Sequence, residues 1–349
     1  MRSFLPVWRA AFVRCLSRTL GTGALVLFVA TCFPGHAAAQ TITGCSATPL
    51  MANATLAGNI TASSTDPTPC LTVGADNVMV NLAGYTLDVS ALGNNAIAIE
   101  TGTTSNTGIL GGGGKIVTAY SGNPTSPSEA IDTQGGNNIT IANVTFWNVT
   151  SSCTPGDSNS TNQRNLNFGT AIQMSNVTGA TIGSNDVECY RTGIVVSGST
   201  IPRGGSGVIS GNNLLNDTYN NSAAATTVVS AGLILDSSSG WTIQLNTATY
   251  SGSLDGSYAC ASSSTGCSAA IQLTGTSNGD SVLTNTATVN FGPGIYTGPL
   301  TYRNKIQQNI ATYNPLGDLW DEVPPHSSNN WNKNTCQTEL GSVSPQKCP

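Results

Sequence analysis

Residues 243–248 read Ile-Gln-Leu-Asn-Thr-Ala, residues 282–287 read Val-Leu-Thr-Asn-Thr-Ala, and residues 306–311 read Ile-Gln-Gln-Asn-Ile-Ala. Each has an aliphatic residue, Asn three positions on, and a small or apolar residue two positions later. The template recurs as Ile182/Asn185/Val187 and Ile209/Asn212/Leu214. Trp331/Asn334/Cys336 keeps the spacing, and Ile141/Val144/Phe146 keeps it with Val in the Asn slot. No helical period runs through the chain, and repetition of this kind points to stacked units.

A second element precedes most copies: a small residue, then a short alternating strand. It appears as Ala96-Ile97-Ala98-Ile99, Ala130-Ile131-Asp132-Thr133, Ala171-Ile172-Gln173-Met174 and Gly193-Ile194-Val195-Val196. It returns as Gly232-Leu233-Ile234-Leu235, Ala270-Ile271-Gln272-Leu273, Gly294-Ile295-Tyr296-Thr297 and Asp318-Leu319-Trp320-Asp321. The offset between the two elements holds at 10 or 11 residues in five units and is 15 in the unit containing Ile194 and Ile209. Such a pattern fits coils of a solenoid, each holding two or three strands that stack in parallel about 4.8 Å apart. Insertions then fall in turns, and 197–207, 218–230 and 251–268 read as three of them. The recurring Asn is expected to take left-handed backbone angles and to hydrogen-bond its counterparts above and below.

Composition agrees. Charged residues make up 8% of the 349 and aromatics 6%, with 39 glycines. So few charges exclude a coiled coil, and 39% hydrophobic residues exclude a disordered chain. A net charge of −5 with no basic stripe excludes a nucleic-acid binder.

The first 39 residues read as a secretory leader. Arg2, Arg9, Arg14 and Arg18 precede a largely apolar run at 24–33 and Ala37-Ala38-Ala39. Ten apolar residues are too few to span about 30 Å of hydrocarbon, so no membrane span is expected after leader removal. The remainder keeps eight basic against 17 acidic residues, a net charge of −9, with eight cysteines and one histidine, His326. Export permits disulfides; eight cysteines allow about 105 pairings, of which the simplest, sequential one is Cys45–Cys70, Cys153–Cys189, Cys260–Cys267 and Cys336–Cys348. No C-x-x-C occurs, so a zinc site is not expected. Gly111–Gly114 followed by Lys115 lacks the Ser/Thr and spacing of a phosphate loop.

These repeats resemble the right-handed parallel β-helix family, the pectate-lyase-like superfold, over 76–334, with 78–87 resembling its opening coil. The later units are similar to β-helix repeat proteins that include periplasmic nitrous-oxide-reductase accessory proteins and alginate epimerases. The expected fold is all-β: a right-handed solenoid of about 8–10 coils (74–322), with a disulfide-closed N-terminal cap (40–73) and a C-terminal cap or tail (323–349). By this resemblance the long-stranded face carries a substrate groove.

On that face the outward positions read Ala98, Asp132, Gln173, Val195, Ile234, Gln272, Tyr296 and Trp320. Tyr296 and Trp320 could stack on sugar rings, and Asp132, Gln173 and Gln272 could bond hydroxyls. A second patch is Asp186, Glu188, Tyr190 and Arg191. There Asp186 and Glu188 flank an inward Val187 and are roughly 6–7 Å apart by strand geometry. That spacing suits paired-carboxylate hydrolysis, calcium binding without a calcium motif, or a surface ion pair with Arg191. The expectation is a secreted or periplasmic, monomeric protein that binds or processes polysaccharide and needs no cofactor. A non-catalytic adhesive scaffold and an accessory protein for metal-enzyme assembly are the alternatives.

Overall fold

The computed structural model describes residues 39–93, 95–119, 128–149, 169–215, 218–219, 230–253, 268–323 and 328–341. Apart from Ala39, the expected leader lies outside them. So do His326, Cys153, Cys260, Cys267 and Cys348.

Three parallel sheets of eleven, nine and ten strands run the length of the chain. We call them faces 1, 2 and 3, in the order a coil visits them. One coil shows the pattern: Ile139–Ala142 on face 1, Thr145–Val149 on face 2, Thr170–Ser175 on face 3. The next coil returns with Ala180–Gly183, Asp186–Glu188 and Thr192–Ser197. Nine coils contribute to all three faces, and a tenth adds Asn330–Asn332 and Glu339–Gly341 to faces 1 and 3.

The recurring aliphatic residues form inward columns. On face 1, Val80, Ile109, Ile141, Ile182, Ile209, Ile243, Val282, Ile306 and Trp331 are register partners in turn. On face 3 the column is Ile99, Ile131, Ile172, Ile194, Leu233, Ile271, Ile295 and Leu319. All of them are buried. One coil has no second side to cover its apolar residues, so each depends on its neighbours.

The corner between faces 1 and 2 explains the Asn slot, with one correction. The left-handed residue is the one before the Asn: Ser184, Gly211, Leu245, Thr284, Gln308 and Lys333 all have φ between 55° and 66°. The Asn side chain instead points into the corner and is buried. Asn185, Asn212, Asn246, Asn285, Asn309 and Asn334 form a continuous ladder, each Nδ2 donating to the next Oδ1 at 2.9–3.0 Å. Each Oδ1 in the run also accepts a backbone N–H from the coil before, as from Asn212 N to Asn246 Oδ1 at 3.0 Å. Each Nδ2 also donates to a carbonyl of the coil before, as to Ile209 O from Asn246 at 2.9 Å. From Asn212 to Asn309, inside the run, these four bonds per side chain meet the full capacity of a buried amide, and the end members Asn185 and Asn334 make three.

A second ladder lies between faces 2 and 3 and ends differently. Asn290 Nδ2 donates to Asn314 Oδ1 at 3.0 Å, and Asn314 Nδ2 donates to Asp318 Oδ1 at 2.9 Å. Asp318 also accepts the backbone N–H groups of Asn314, Gln337 and Thr338. Every neighbour is a donor, so this corner needs a group that only accepts. Asp318→Asn would turn an NH₂ toward N–H groups. The expected loss is about 2–3 kcal/mol, that of a buried hydrogen bond to a charged group. It would be read as a lower urea midpoint with unchanged slope.

Two expectations about the ends change. Strands Ala54–Leu56, Ile60–Thr61 and Leu71–Thr72 already belong to faces 1, 2 and 3. Residues 40–73 are therefore the first winding rather than a separate cover. Asn330–Asn332 and Glu339–Gly341 likewise continue the solenoid into the expected tail. Cys45 and Cys70 form a disulfide within the first winding. Cys189 and Cys336 are disulfide-bonded too. Residues 198–206, a described insertion, link face 3 to face 1 and account for the 15-residue interval. The insertions around 218–230 and 251–268, mostly outside the described residues, link face 2 to face 3.

Candidate functional site

Face 3 orders its outward side chains by register. Asp132, Gln173, Val195, Ile234, Gln272, Tyr296 and Trp320 are successive partners. At one coil per step, Asp132 and Trp320 are roughly 29 Å apart. The five expected sugar contacts thus share one row, but they are not equally accessible. Gln173 and Trp320 are half-buried and Asp132 is buried, with 5% of its surface exposed, whereas Gln272 and Tyr296 are each 1% exposed and cannot meet a ligand as they stand. The Gln272 amide oxygen has no hydrogen-bond partner among the described residues. Tyr296 packs edge-on against Trp320 and donates its hydroxyl proton to Glu322 at 2.6 Å. Its phenol is held well above the usual range by burial first, then by the bond to Glu322.

The head of the row differs from expectation. Ile99, not Ile97, pairs with Ile131, so Glu100 rather than Ala98 stands beside Asp132. Ala98 is buried. Glu129 opens the same strand as Asp132. Its carboxyl is pushed up to about 7, mainly by burial, with the charges of Asp132 and Glu100 adding and that of Arg191 opposing. Asp132 Oδ2 accepts a bond from Gln134 Nε2 at 2.7 Å, and Gln173 Nε2 donates to Ser175 Oγ at 3.2 Å. Glu100, Glu129, Asp132, Gln134 and Gln173 therefore occupy adjacent strands of one face, with Arg191 near Glu129. A carboxyl protonated near neutrality beside other carboxylates is the arrangement acid–base chemistry uses.

The second expected patch divides. Asp186 and Glu188 do point out of face 2, around buried Val187. Asp186 accepts a bond from Asn213 Nδ2 at 2.8 Å, and Glu188 is the register partner of Trp147, over whose ring lies Lys115 Nζ. Tyr190 is not a surface residue: it is fully buried, and its hydroxyl accepts from Thr118 Oγ1 at 3.0 Å. Arg191 lies at the corner where face 3 begins, and its charge acts on Glu129. Among the described residues, no group of three or more His, Cys, Asp or Glu is arranged to hold a metal ion.

Three stacked parallel sheets, joined in the same order in nine successive coils, decide the architecture. The chain is a right-handed parallel β-helix.

No protein-family model and no curated protein matches this β-helix. Solved structures do. A mutant of the periplasmic alginate epimerase AlgG superposes with a TM-score of 0.46 at 10% identity, over 84% of this chain and 75% of that one. The A-module of the Azotobacter vinelandii mannuronan C-5 epimerase AlgE6 gives 0.32 at 13% identity, over 85% and 92%. The AlgE4 A-module of the same organism gives 0.34 at 11%, over 83% and 87%.

Proposed function

We propose that this β-helix binds a polysaccharide along face 3 and hydrolyses it at the head of the row. The observation that carries this reading is Glu129, a carboxyl at the start of the Asp132 strand that is raised to about 7 by burial and by the charges of Asp132 and Glu100. Protonated near pH 7, Glu129 gives its proton to the glycosidic oxygen as the C–O bond breaks. Glu100, half-buried beside buried Asp132, takes a proton from the attacking water. Gln134 and Gln173 orient sugar hydroxyls, and Trp320 offers an apolar ring farther along. Two carboxylates, Asp132 and Glu100, against one arginine favour a neutral glycan over a polyuronate.

Export to an oxidising compartment fits the Cys45–Cys70 disulfide and the arginine-bearing leader. No helix among the described residues is long and apolar enough to cross a membrane.

The test is a panel of neutral and acidic polysaccharides assayed for new reducing ends and for unsaturated ends. Glu129→Gln should lower the rate of reducing-end release at least about 100-fold, the usual scale for a general acid. It should leave urea unfolding cooperative. Wild-type turnover in Glu129→Gln removes that residue, and unsaturated products replace hydrolysis with elimination. A second reading, a non-catalytic glycan scaffold, draws on the row beyond Asp132, where Gln173 and Trp320 are partly exposed and the Val195, Ile234, Gln272 and Tyr296 between them include no acid–base pair. Retention of glycan with no new chain ends decides for it.

A further inference from the structure

The last three complete coils carry a different surface on face 2. Asn246 is followed by Thr-Ala-Thr, Asn285 by Thr-Ala-Thr, and Asn309 by Ile-Ala-Thr. Register aligns Thr247, Thr286 and Ile310 in one rank and Thr249, Thr288 and Thr312 in a second. Ala248, Ala287 and Ala311 between them are buried, so both ranks point outward. The left-handed corner residues border them: Leu245, Thr284 and Gln308 on one side, Tyr250, Val289 and Tyr313 on the other. None of these twelve positions is charged.

The array is periodic in two directions. Ranks lie roughly 7 Å apart along the strands and coils about 4.8 Å apart across them. The Asn246–Asn285–Asn309 ladder on one border and the Asn290–Asn314 bond on the other keep the coils in step. Side-chain ladders of this kind hold a sheet flat where free sheets twist.

We propose that this face binds ice. Threonine presents a hydroxyl that hydrogen-bonds water and a methyl over which water can only cage. Repeated on a flat lattice, the methyls order a water layer and the hydroxyls anchor it. The two repeats of the array are close to those of the oxygen rows on a prism face of hexagonal ice, so the layer can join the crystal. An uncharged border favours this over ordinary solvation, since a charge would draw water into its own shell. The proposal is independent of the glycan site, which lies on another face.

The experiment is slow directional freezing of the purified, disulfide-intact protein, with serum albumin in the same solution as the excluded solute. The wild type should enter the growing ice several-fold more than albumin, and single crystals in its presence should become faceted. Thr286→Lys and Thr288→Lys should each reduce incorporation to the albumin level with unfolding unchanged. Thr181→Lys, on exposed face 1, should not. Exclusion of the wild type from ice overturns the proposal, and so does equal incorporation of Thr288→Lys. Exclusion from ice with retention on microcrystalline cellulose that Thr288→Lys abolishes also overturns it and makes the face a dock for a crystalline glycan.

Discussion

Asp280→Asn is expected to make the protein more stable at pH 8 by as much as about 4 kcal/mol and to change little at pH 4. Asp280 sits in a corner ladder where its neighbours on the following coils are Asn304 and Asn329. Its backbone N–H donates to Asn304 Oδ1 at 2.9 Å, and Asn304 N–H donates to Asn329 Oδ1 at 3.0 Å. Asp280 Oδ1 accepts from Trp241 N at 2.9 Å, as an amide oxygen would. Oδ2 takes the place where an asparagine has its NH₂. It is buried with no hydrogen-bond partner among the described residues, and ladder order sets it among acceptors. An ionised oxygen there is repelled, whereas an O–H or N–H is satisfied.

The carboxyl is accordingly pushed up to about 7, by burial first, against bonds from Trp241 and Gly240 that lower it. In the unfolded chain it titrates near 3.8. Between those values the folded state holds a proton that the unfolded state has lost. Stability from this group is complete below about pH 4, falls as pH rises through about 7, and is gone above it. Glu129 is raised to about the same value and adds a slope of the same sign. Urea titrations at pH 4.5, 6 and 8 would show the Asp280→Asn curve flatter than wild type, and flatter still with Glu129→Gln added. Parallel curves for wild type and Asp280→Asn would mean that Oδ2 has a partner after all.

This contrast between two aspartates marks where sequence reading stops. Asp280 and Asp318 both stand in ladders of asparagine, and the letter is the same. One corner calls for a donor, the other for four accepted bonds, and only the third dimension tells them apart. The aliphatic columns were legible because each needs a branched side chain at a fixed offset, from Ile141 to Ile306. The ladder was legible for the same reason, although the left-handed angle belongs to Leu245 or Thr284 rather than to the Asn that follows.

Where the fold departs from the sequence pattern, the cause is physical. Ala96-Ile97 and Ala98-Ile99 are the same dipeptide two residues apart, and a strand's side-chain period is two. Either alignment satisfies the pattern, so Glu100 was hidden behind Ala98. Glu129 lies just outside the repeating element, so its part in the site comes from the fold around it. In residues 40–73, Leu50/Asn53 and Leu56/Asn59 keep the three-residue spacing but are followed by Thr55 and Thr61 where other copies have an apolar or small residue, so their strands read as a cover. Tyr190 follows Cys189, whose φ of 69° turns the chain and drives the ring inward. Strict alternation continued from Glu188 cannot foresee that turn.

Asn246→Ala tests the ladder itself, and about 4 kcal/mol should be lost. Its Oδ1 accepts from Asn212 N and Nδ2, and its Nδ2 donates to Ile209 O and Asn285 Oδ1. Truncation removes all four bonds at once. Asn212 Nδ2 still reaches Ile182 O, and Asn285 Oδ1 still accepts Asn246 N, so those two losses are of ordinary size, about 1 kcal/mol each. The Asn212 backbone N–H, by contrast, loses its acceptor inside a corner closed to water, a desolvation cost of about 1–3 kcal/mol. A small cavity adds to this. Asn213→Ala is the matched control, since that side chain is exposed and holds only Asp186. It should cost under about 1 kcal/mol. If the two variants unfolded at the same urea concentration, the amide column would be ornament on a stack held by its aliphatic residues alone. A large gap between them would show that the corner amides set the register on which every outward row, acidic or threonine, depends.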